Sequence, residues 1–109
     1  VITITTDCSQ PHFYQLESKV LEVNPGDTLQ LAYNIEGKTD GLTLILRDKT
    51  TQLPLGPEIE LQDGYNNING GIQYRIPQNT RETSILLYNK KIIPNTTFTI
   101  NSLILERLN

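Results

Sequence analysis

The residue types that catalysis and cross-linking require are scarce in this chain. It contains no tryptophan and no methionine, and only one cysteine and one histidine among its 109 residues. Cys8 has no partner for an internal disulfide, and this pair of residues cannot assemble the usual Cys/His zinc site. His12 is the only imidazole that could act as a general base. It lies beside Pro11 in a predicted loop, which argues against a catalytic triad.

Long apolar runs and clusters of positive charge are missing too. No run approaches the roughly 20 apolar residues that cross a bilayer, and the 109 residues include neither a methionine nor the charged and apolar segments that mark a signal peptide. The nine lysines and arginines are scattered, and the net charge is -3, so we expect neither nucleic acid nor an anionic membrane surface as a partner. We expect an extracytoplasmic domain, covalently linked to other domains of a larger protein.

What the sequence does contain is a regular alternation of apolar and polar residues. After the turn at 24–27, Leu29, Leu31 and Ile35 alternate with polar side chains, as in a half-buried strand. Many short strands without a competing helix predict one all-β domain over residues 1–109, a two-sheet antiparallel β-sandwich with jelly-roll connections. The candidate strands are 1–5, 13–14, 19–23, 28–35, 42–47, 58–61, 72–76, 84–88 and 97–105.

Several connections have their own sequence signals. The Gly-rich segment 37–41 predicts a hairpin between strands 28–35 and 42–47. Two prolines in 49–57 indicate an edge strand or a crossover, because proline cannot donate to a central ladder. Residues 62–71 form the longest predicted polar loop. A shift of the apolar face within 97–105 predicts a bulge near Asn101-Ser102.

Tyrosines supply the candidate ligand-binding surface. Sugar rings stack on aromatic rings, while amides and charged groups bond the sugar hydroxyls. We expect Tyr65, in the polar loop, and Tyr88, at a strand end, to be exposed, and Tyr33, Tyr74 and Phe98 to lie in the core. Outward positions on strands that could be neighbours would form a polar sheet face from Asn34, Arg47, Gln73 and Arg75. The predicted ligand-binding residues are Tyr65, Asn66, Arg47, Arg75 and Tyr88.

Acidic residues leave two further possibilities open. The loop carboxylates could bind calcium. None of them lies in a calcium-binding motif of regular spacing, however, and turn formation explains most of them. Two acids could also serve a small hydrolase, but a chain of this size offers little room for a cleft. We therefore expect no enzymatic activity. The acids considered are Asp7, Glu17, Asp27, Asp40, Asp48 and Asp63.

Residues 23–105 resemble the jelly-roll carbohydrate-binding modules of the galactose-binding-like superfamily. The resemblance rests on Val23-Asn24-Pro25-Gly26-Asp27-Thr28 and the strand after it, on Gly41-Leu42-Thr43-Leu44-Ile45-Leu46-Arg47-Asp48, on Tyr74-Arg75-Ile76-Pro77 with Ser84-Ile85-Leu86-Leu87-Tyr88 as a late strand pair, and on the closing strand Phe98 to Leu105. It implies a non-catalytic, glycan-binding accessory module. The alternative is a structural or protein-interaction domain without a small ligand, such as a surface-protein spacer or the soluble tail of a membrane glycosyltransferase.

Overall fold

The computed structural model describes residues 1–67 and 71–108. These residues form ten β-strands and no helix. The strands are β1 (Ile2–Thr5), β2 (Tyr14–Glu17), β3 (Leu21–Glu22), β4 (Thr28–Gly37), β5 (Leu42–Asp48), β6 (Ile59–Glu60), β7 (Gly64–Asn67), β8 (Ile72–Arg75), β9 (Glu82–Asn89) and β10 (Thr97–Arg107).

The strands divide between two antiparallel five-stranded sheets. In the first sheet the order is β1-β10-β4, with β7 and β8 both paired to the far edge of β4. In the second sheet β2 and β3 both pair with β9, followed by β5 and β6. We count β2 with β3 as one interrupted strand, and β7 with β8 as another, and renumber the resulting eight strands along the chain. The two sheets then have the strand orders 1-8-3-6 and 2-7-4-5. This is the strand order of a jelly roll, so the predicted fold class is confirmed.

The predicted hairpin between 28–35 and 42–47 is wrong, because β4 and β5 belong to opposite sheets. The edges of β4 pair with β10, β7 and β8, and those of β5 pair with β9 and β6, so residues 37–41 carry the chain across the sandwich. The late strands β8 and β9 likewise belong to opposite sheets and do not pair. Gly37 is required at the crossing, since its φ is 130° and a Cβ there would lie 2.9 Å from Cβ of Phe98.

Apolar side chains from both sheets meet in the core. Leu29, Leu31 and Ile35 of β4 are fully buried, as their alternation predicts. Tyr74 and Phe98 are each 2% exposed, and the partly buried Tyr33 packs against the same cluster, which confirms all three core predictions.

Two local predictions are also confirmed. The register of β10 against β4 shifts between Ile100 and Ser102, as expected of a bulge. Pro54 bridges Arg47, and Leu55 donates its N–H to the carbonyl of Leu46, so 49–57 runs along the edge of β5.

The predicted polar loop 62–71 is partly wrong, because β7 lies within it. Asn66 stands opposite Ile35, at an inward position where a strand normally shows an apolar residue. Its Nδ2 donates to the carbonyls of Ile35 and Gln62 and to Oγ1 of Thr39, at 3.3, 2.8 and 3.0 Å. These bonds replace apolar burial, so the strand carries no hydrophobic pattern. Residues 68–70 of the predicted loop lie outside the described residues.

Candidate ligand-binding groove

A groove of about 230 Å³ lies on the outer face of the second sheet, and we call it the outer groove. Its floor consists of outward side chains of β5 and β9, chiefly Ile45 and Leu86, which are 4% and 3% exposed. One wall comes from the chain at β2 and the other from the segment that returns along the edge of β5. The lining residues are His12, Tyr14, Ile45, Arg47, Gln52, Pro54, Glu58, Leu86 and Tyr88.

The first wall is held in place by Asn89, which is fully buried. Its Nδ2 donates to the backbone carbonyls of Gln10 and Lys91, both at 2.8 Å. The backbone carbonyl of Asn89 accepts the N–H of His12 at 2.6 Å. Gln15 donates to its Oδ1 at 3.0 Å. This clamp places the imidazole of His12 6.2 Å from the ring of Tyr88, with the two planes inclined by 24°.

The backbone is strained on both walls of the outer groove. His12 and Gln52 each have a φ of 63°, and they are the only described non-glycine residues with positive φ. A left-handed conformation costs a non-glycine residue on the order of 1–3 kcal/mol and persists only where the surrounding structure enforces it. Such residues concentrate at functional sites, and here both of them line one groove.

Arg47 lies at the centre of a hydrogen-bond network. Its Nη1 donates to the hydroxyl of Tyr14 at 2.8 Å, its Nε to Oγ of Ser84 at 3.3 Å, and its Nη2 to the carboxylate of Glu17. Its guanidinium carbon also lies 4.9 Å from the centre of the Tyr14 ring. Because this side chain is only 3% exposed, the predicted exposure of Arg47 is wrong: Tyr14, Glu17 and the returning segment cover it.

The charges of this network stabilise one another. Lys49 donates to the Glu17 carboxylate at 2.8 Å, and this bond together with that from Arg47 lowers the pKa of Glu17 to about 2. Burial alone would lower the pKa of Arg47, but its bonds to Glu17 and Tyr14 outweigh burial and raise that pKa. Both groups are therefore charged at neutral pH, and each neutralises the other.

Tyr88 lies on the floor of the outer groove, four residues along β9 from the partner of Arg47. It pairs with Thr43 on one side and with Tyr14 on the other, so two tyrosines lie side by side on the outer face. Burial, and secondarily the negative charge of Glu58, raises the pKa of its hydroxyl. Tyr88 is only 9% exposed, which corrects the prediction of an exposed strand end, whereas Tyr14 is 52% exposed.

The five predicted ligand-binding residues fall on both sheets. Arg47 and Tyr88 meet in the outer groove of the second sheet, whereas Tyr65 and Arg75 belong to the first. The predicted polar face that joined Arg47 to Arg75 is therefore wrong. Tyr65 pairs near one end of β4 and Arg75 at the other, eight residues or about 26 Å apart along the strand. Asn66 uses its side chain to hold β7.

Tyr65 is exposed, as predicted, at 60% of its surface. Its hydroxyl accepts a hydrogen bond from Nδ2 of Asn34 at 2.7 Å, and Nδ2 of Asn101 bonds Asn34 and Glu36 at 3.2 and 3.1 Å. These groups bond one another on the outer face of the first sheet, away from the outer groove.

Sequence reasoning did not assign His12 or Tyr14 to a binding site. The sequence indicates only a general base or a surface or packing role for His12, and a short extended segment for Tyr14. Their roles follow from the pairing of Tyr14 with Tyr88 and from the Asn89 clamp, which join residues more than 70 positions apart. No local pattern indicates such pairings.

Of the acidic residues considered for calcium, Asp40 and Asp63 are neighbours, since the N–H of Asp40 donates to Oδ1 of Asp63 at 3.0 Å. Within residues 1–67 and 71–108, no three side chains of His, Cys, Asp or Glu form a group that could hold a metal ion. Asp48 accepts the N–H groups of Thr50 and Thr51 and the hydroxyl of Thr80, and Asp7 bonds Ser9. These contacts are those of turn-forming acids.

Comparison with known protein families, curated proteins and solved structures gives no match for this chain. Among the described residues, no helix has the length and apolar character needed to cross a bilayer.

Proposed function

We propose that this domain is a non-catalytic carbohydrate-binding accessory module of a larger extracytoplasmic protein, of the galactose-binding-like type, and that the outer groove is its binding site. The observation that carries the proposal is that Tyr14 and His12 border a groove whose floor contains Tyr88 and Arg47. Aromatic rings offer stacking surfaces for a sugar, and the polar groups beside them can bond its hydroxyls.

The polar groups of the outer groove suit hydroxyl recognition. The network occupies three of the five guanidinium N–H donors of Arg47, so further donors remain. The hydroxyl of Tyr88 makes no hydrogen bond to any described residue, and Glu58 adds carboxylate acceptors at the rim. Strained walls held by Asn89 and by the turn at Gln52 keep these groups in position before a ligand arrives, which lowers the entropic cost of binding.

The test is a titration of ¹⁵N-labelled protein with mixed soluble glycans, followed by amide chemical shifts. Saturable shifts at residues 12, 14, 52, 58 and 88 support the proposal. Shifts confined to Tyr65 or Arg75 move the site to the first sheet and contradict the assignment to the outer groove. The absence of shifts at millimolar glycan contradicts sugar binding as a whole.

Variants on the two sheets provide a matched comparison. Tyr14→Leu retains apolar bulk but removes the stacking ring, and we expect it to weaken binding about tenfold, the loss of roughly 1.4 kcal/mol. Tyr65→Leu makes the same exchange on the other sheet, and we expect no change in affinity. Equal effects of both variants would contradict the assignment. Thermal unfolding of each variant verifies that the fold is retained.

The alternative, a structural or protein-interaction domain without a small ligand, is favoured by the edge of β10. β1 covers only Thr97–Ile100, and no other described strand pairs with 101–107 on that edge, where Ile104 is 53% exposed. An open edge can accept a strand from a linked domain. Amide exchange at 102–106 that slows when the domain is part of its larger protein would support this alternative, and unchanged exchange would contradict it.

A further inference from the structure

We infer that the outer groove selects uncharged sugars and discriminates against sugars that carry a carboxylate. This inference rests on the proposed function and adds the class of ligand. It follows from how the charged groups in and around the groove are paired, not from any single contact.

The arginine of the groove and the two lysines that bond neighbouring carboxylates all have carboxylate partners. Arg47 and Lys49 both bond Glu17, and Lys90 bonds Glu58 and, at 3.1 Å, Glu60. Three cations and three carboxylates therefore form a neutral set. A carboxylated sugar would find no unpaired lysine or arginine among the lining residues, and binding would require it to lose water of hydration.

Glu58 is the acidic residue that lines the outer groove, and its carboxylate is accessible to an incoming ligand. Glu58 lines the groove and 36% of its side chain is exposed, whereas its partner Lys90 does not line it. Arg47 also lines the groove but is 3% exposed, and its Nη2 is bonded to the compensating carboxylate of Glu17. An incoming carboxylate therefore meets the exposed carboxylate of Glu58 before it meets a well-compensated guanidinium.

Neutral hydroxyls avoid this penalty and can use both charged groups. A sugar hydroxyl can donate to the Glu58 carboxylate and another can accept from an unused N–H of Arg47, and bonds with one charged partner are stronger than neutral ones. The volume of about 230 Å³ lies below the roughly 300–1,000 Å³ of pockets that enclose drug-sized ligands. We therefore expect a single uncharged sugar ring to fill the groove.

The experiment compares matched pairs of ligands by calorimetric titration at pH 8. One set consists of neutral hexose oligosaccharides, and the other of the same oligosaccharides with the C6 hydroxyl oxidised to a carboxylate. We expect the oxidised forms to bind at least about tenfold more weakly in low salt, with the difference narrowing in high salt as charges are screened. Affinity for the neutral forms should change less than about twofold with salt.

A variant isolates the charge responsible. Glu58→Gln removes the exposed carboxylate while preserving shape, so we expect the preference for the neutral forms to shrink by about threefold or more. Glu36→Gln, on the other sheet, is the control and should leave the preference unchanged. Equal or tighter binding of the oxidised sugars by the unmodified protein overturns the inference and leaves sugar binding intact. If neither set binds, the proposed function itself fails.

Discussion

Buried polar side chains join separate segments of this domain. Arg47, Glu17 and Asn89 each hold two or more segments together, and in the described chain no buried side-chain nitrogen or oxygen lacks a hydrogen-bond partner. A buried polar group costs little while it is bonded and much once a partner is removed. Substitutions at these positions should therefore show how much each buried contact contributes to the free energy of unfolding.

Glu17→Gln should destabilise the domain at neutral pH. Removing this carboxylate leaves the buried Arg47 without its counter-charge. Breaking a fully buried pair costs roughly 3–5 kcal/mol, but Glu17 is 28% exposed, so we expect a loss of about 2 kcal/mol in the free energy of unfolding. Urea denaturation measures it. Glu22→Gln, at an exposed position, should change it by less than about 0.5 kcal/mol.

The same residue makes stability depend on pH. The pKa of Glu17 falls from 4.5 to about 2 on folding, so the stabilisation is fully present above pH 4.5 and is lost as the pH falls toward 2. Thermal unfolding of wild type and Glu17→Gln should therefore differ most at neutral pH and converge near pH 2. Curves that remain equally separated throughout would contradict the role assigned to this carboxylate.

Gln52→Gly should stabilise the domain. Glycine adopts a φ of 63° without steric penalty, and the relief exceeds the added entropy of the unfolded chain by about 0.5–1 kcal/mol. Gln78→Gly makes the same exchange at a turn position without positive φ, and we expect it to destabilise by a similar amount. Chemical denaturation compares the two variants, and effects of the same sign would refute the strain at Gln52.

At the scale of elements, strands form here with and without a hydrophobic pattern. β4 follows its alternation closely, and the turn before it has the predicted geometry, with Asp27 N–H bonded to the carbonyl of Asn24 at 3.1 Å and Gly26 at a φ of 84°. β7 has no such pattern and is held by the amide of Asn66. Its stability is therefore more sensitive to one polar side chain than that of β4.

Asn66→Ala should release β7 from β4. The variant loses the bonds to Ile35, Gln62 and Thr39, and we expect a cost of about 1–3 kcal/mol. Hydrogen exchange should become faster at the amides of β7 while those of β5 and β9 remain protected. Tyr65→Phe, which removes one exposed hydrogen bond between β7 and Asn34 of β4, serves as the comparison and should accelerate exchange less. Uniformly faster exchange would show that β7 is not a separable element.

At the scale of the whole molecule, the jelly roll joins distant parts of the chain. β1 pairs with β10 and β2 with β9, so the first residues of the fold meet the last ones. Closing such large loops must precede most of the gain in stability. The outer groove depends on the same closures, because His12 reaches Tyr88 only when β2 has joined β9.

Refolding should accordingly be slow for a domain of this size. We expect time constants of milliseconds to seconds, as for other sandwiches dominated by non-local pairing. Stopped-flow dilution from urea measures the rate. Refolding in microseconds would indicate that local structure, and not pairing between the chain ends, limits the reaction.

The sequence by itself determined the fold class, the core and several turns, because burial on one face of a strand leaves a period-two pattern in the chain. Tertiary structure alone decided which strands pair. Neighbours such as β4 and β5 separate into opposite sheets, a choice that depends on which edges are already occupied. It also decided the site: Arg47 is covered and Tyr14 is brought beside Tyr88 by contacts that no local pattern encodes.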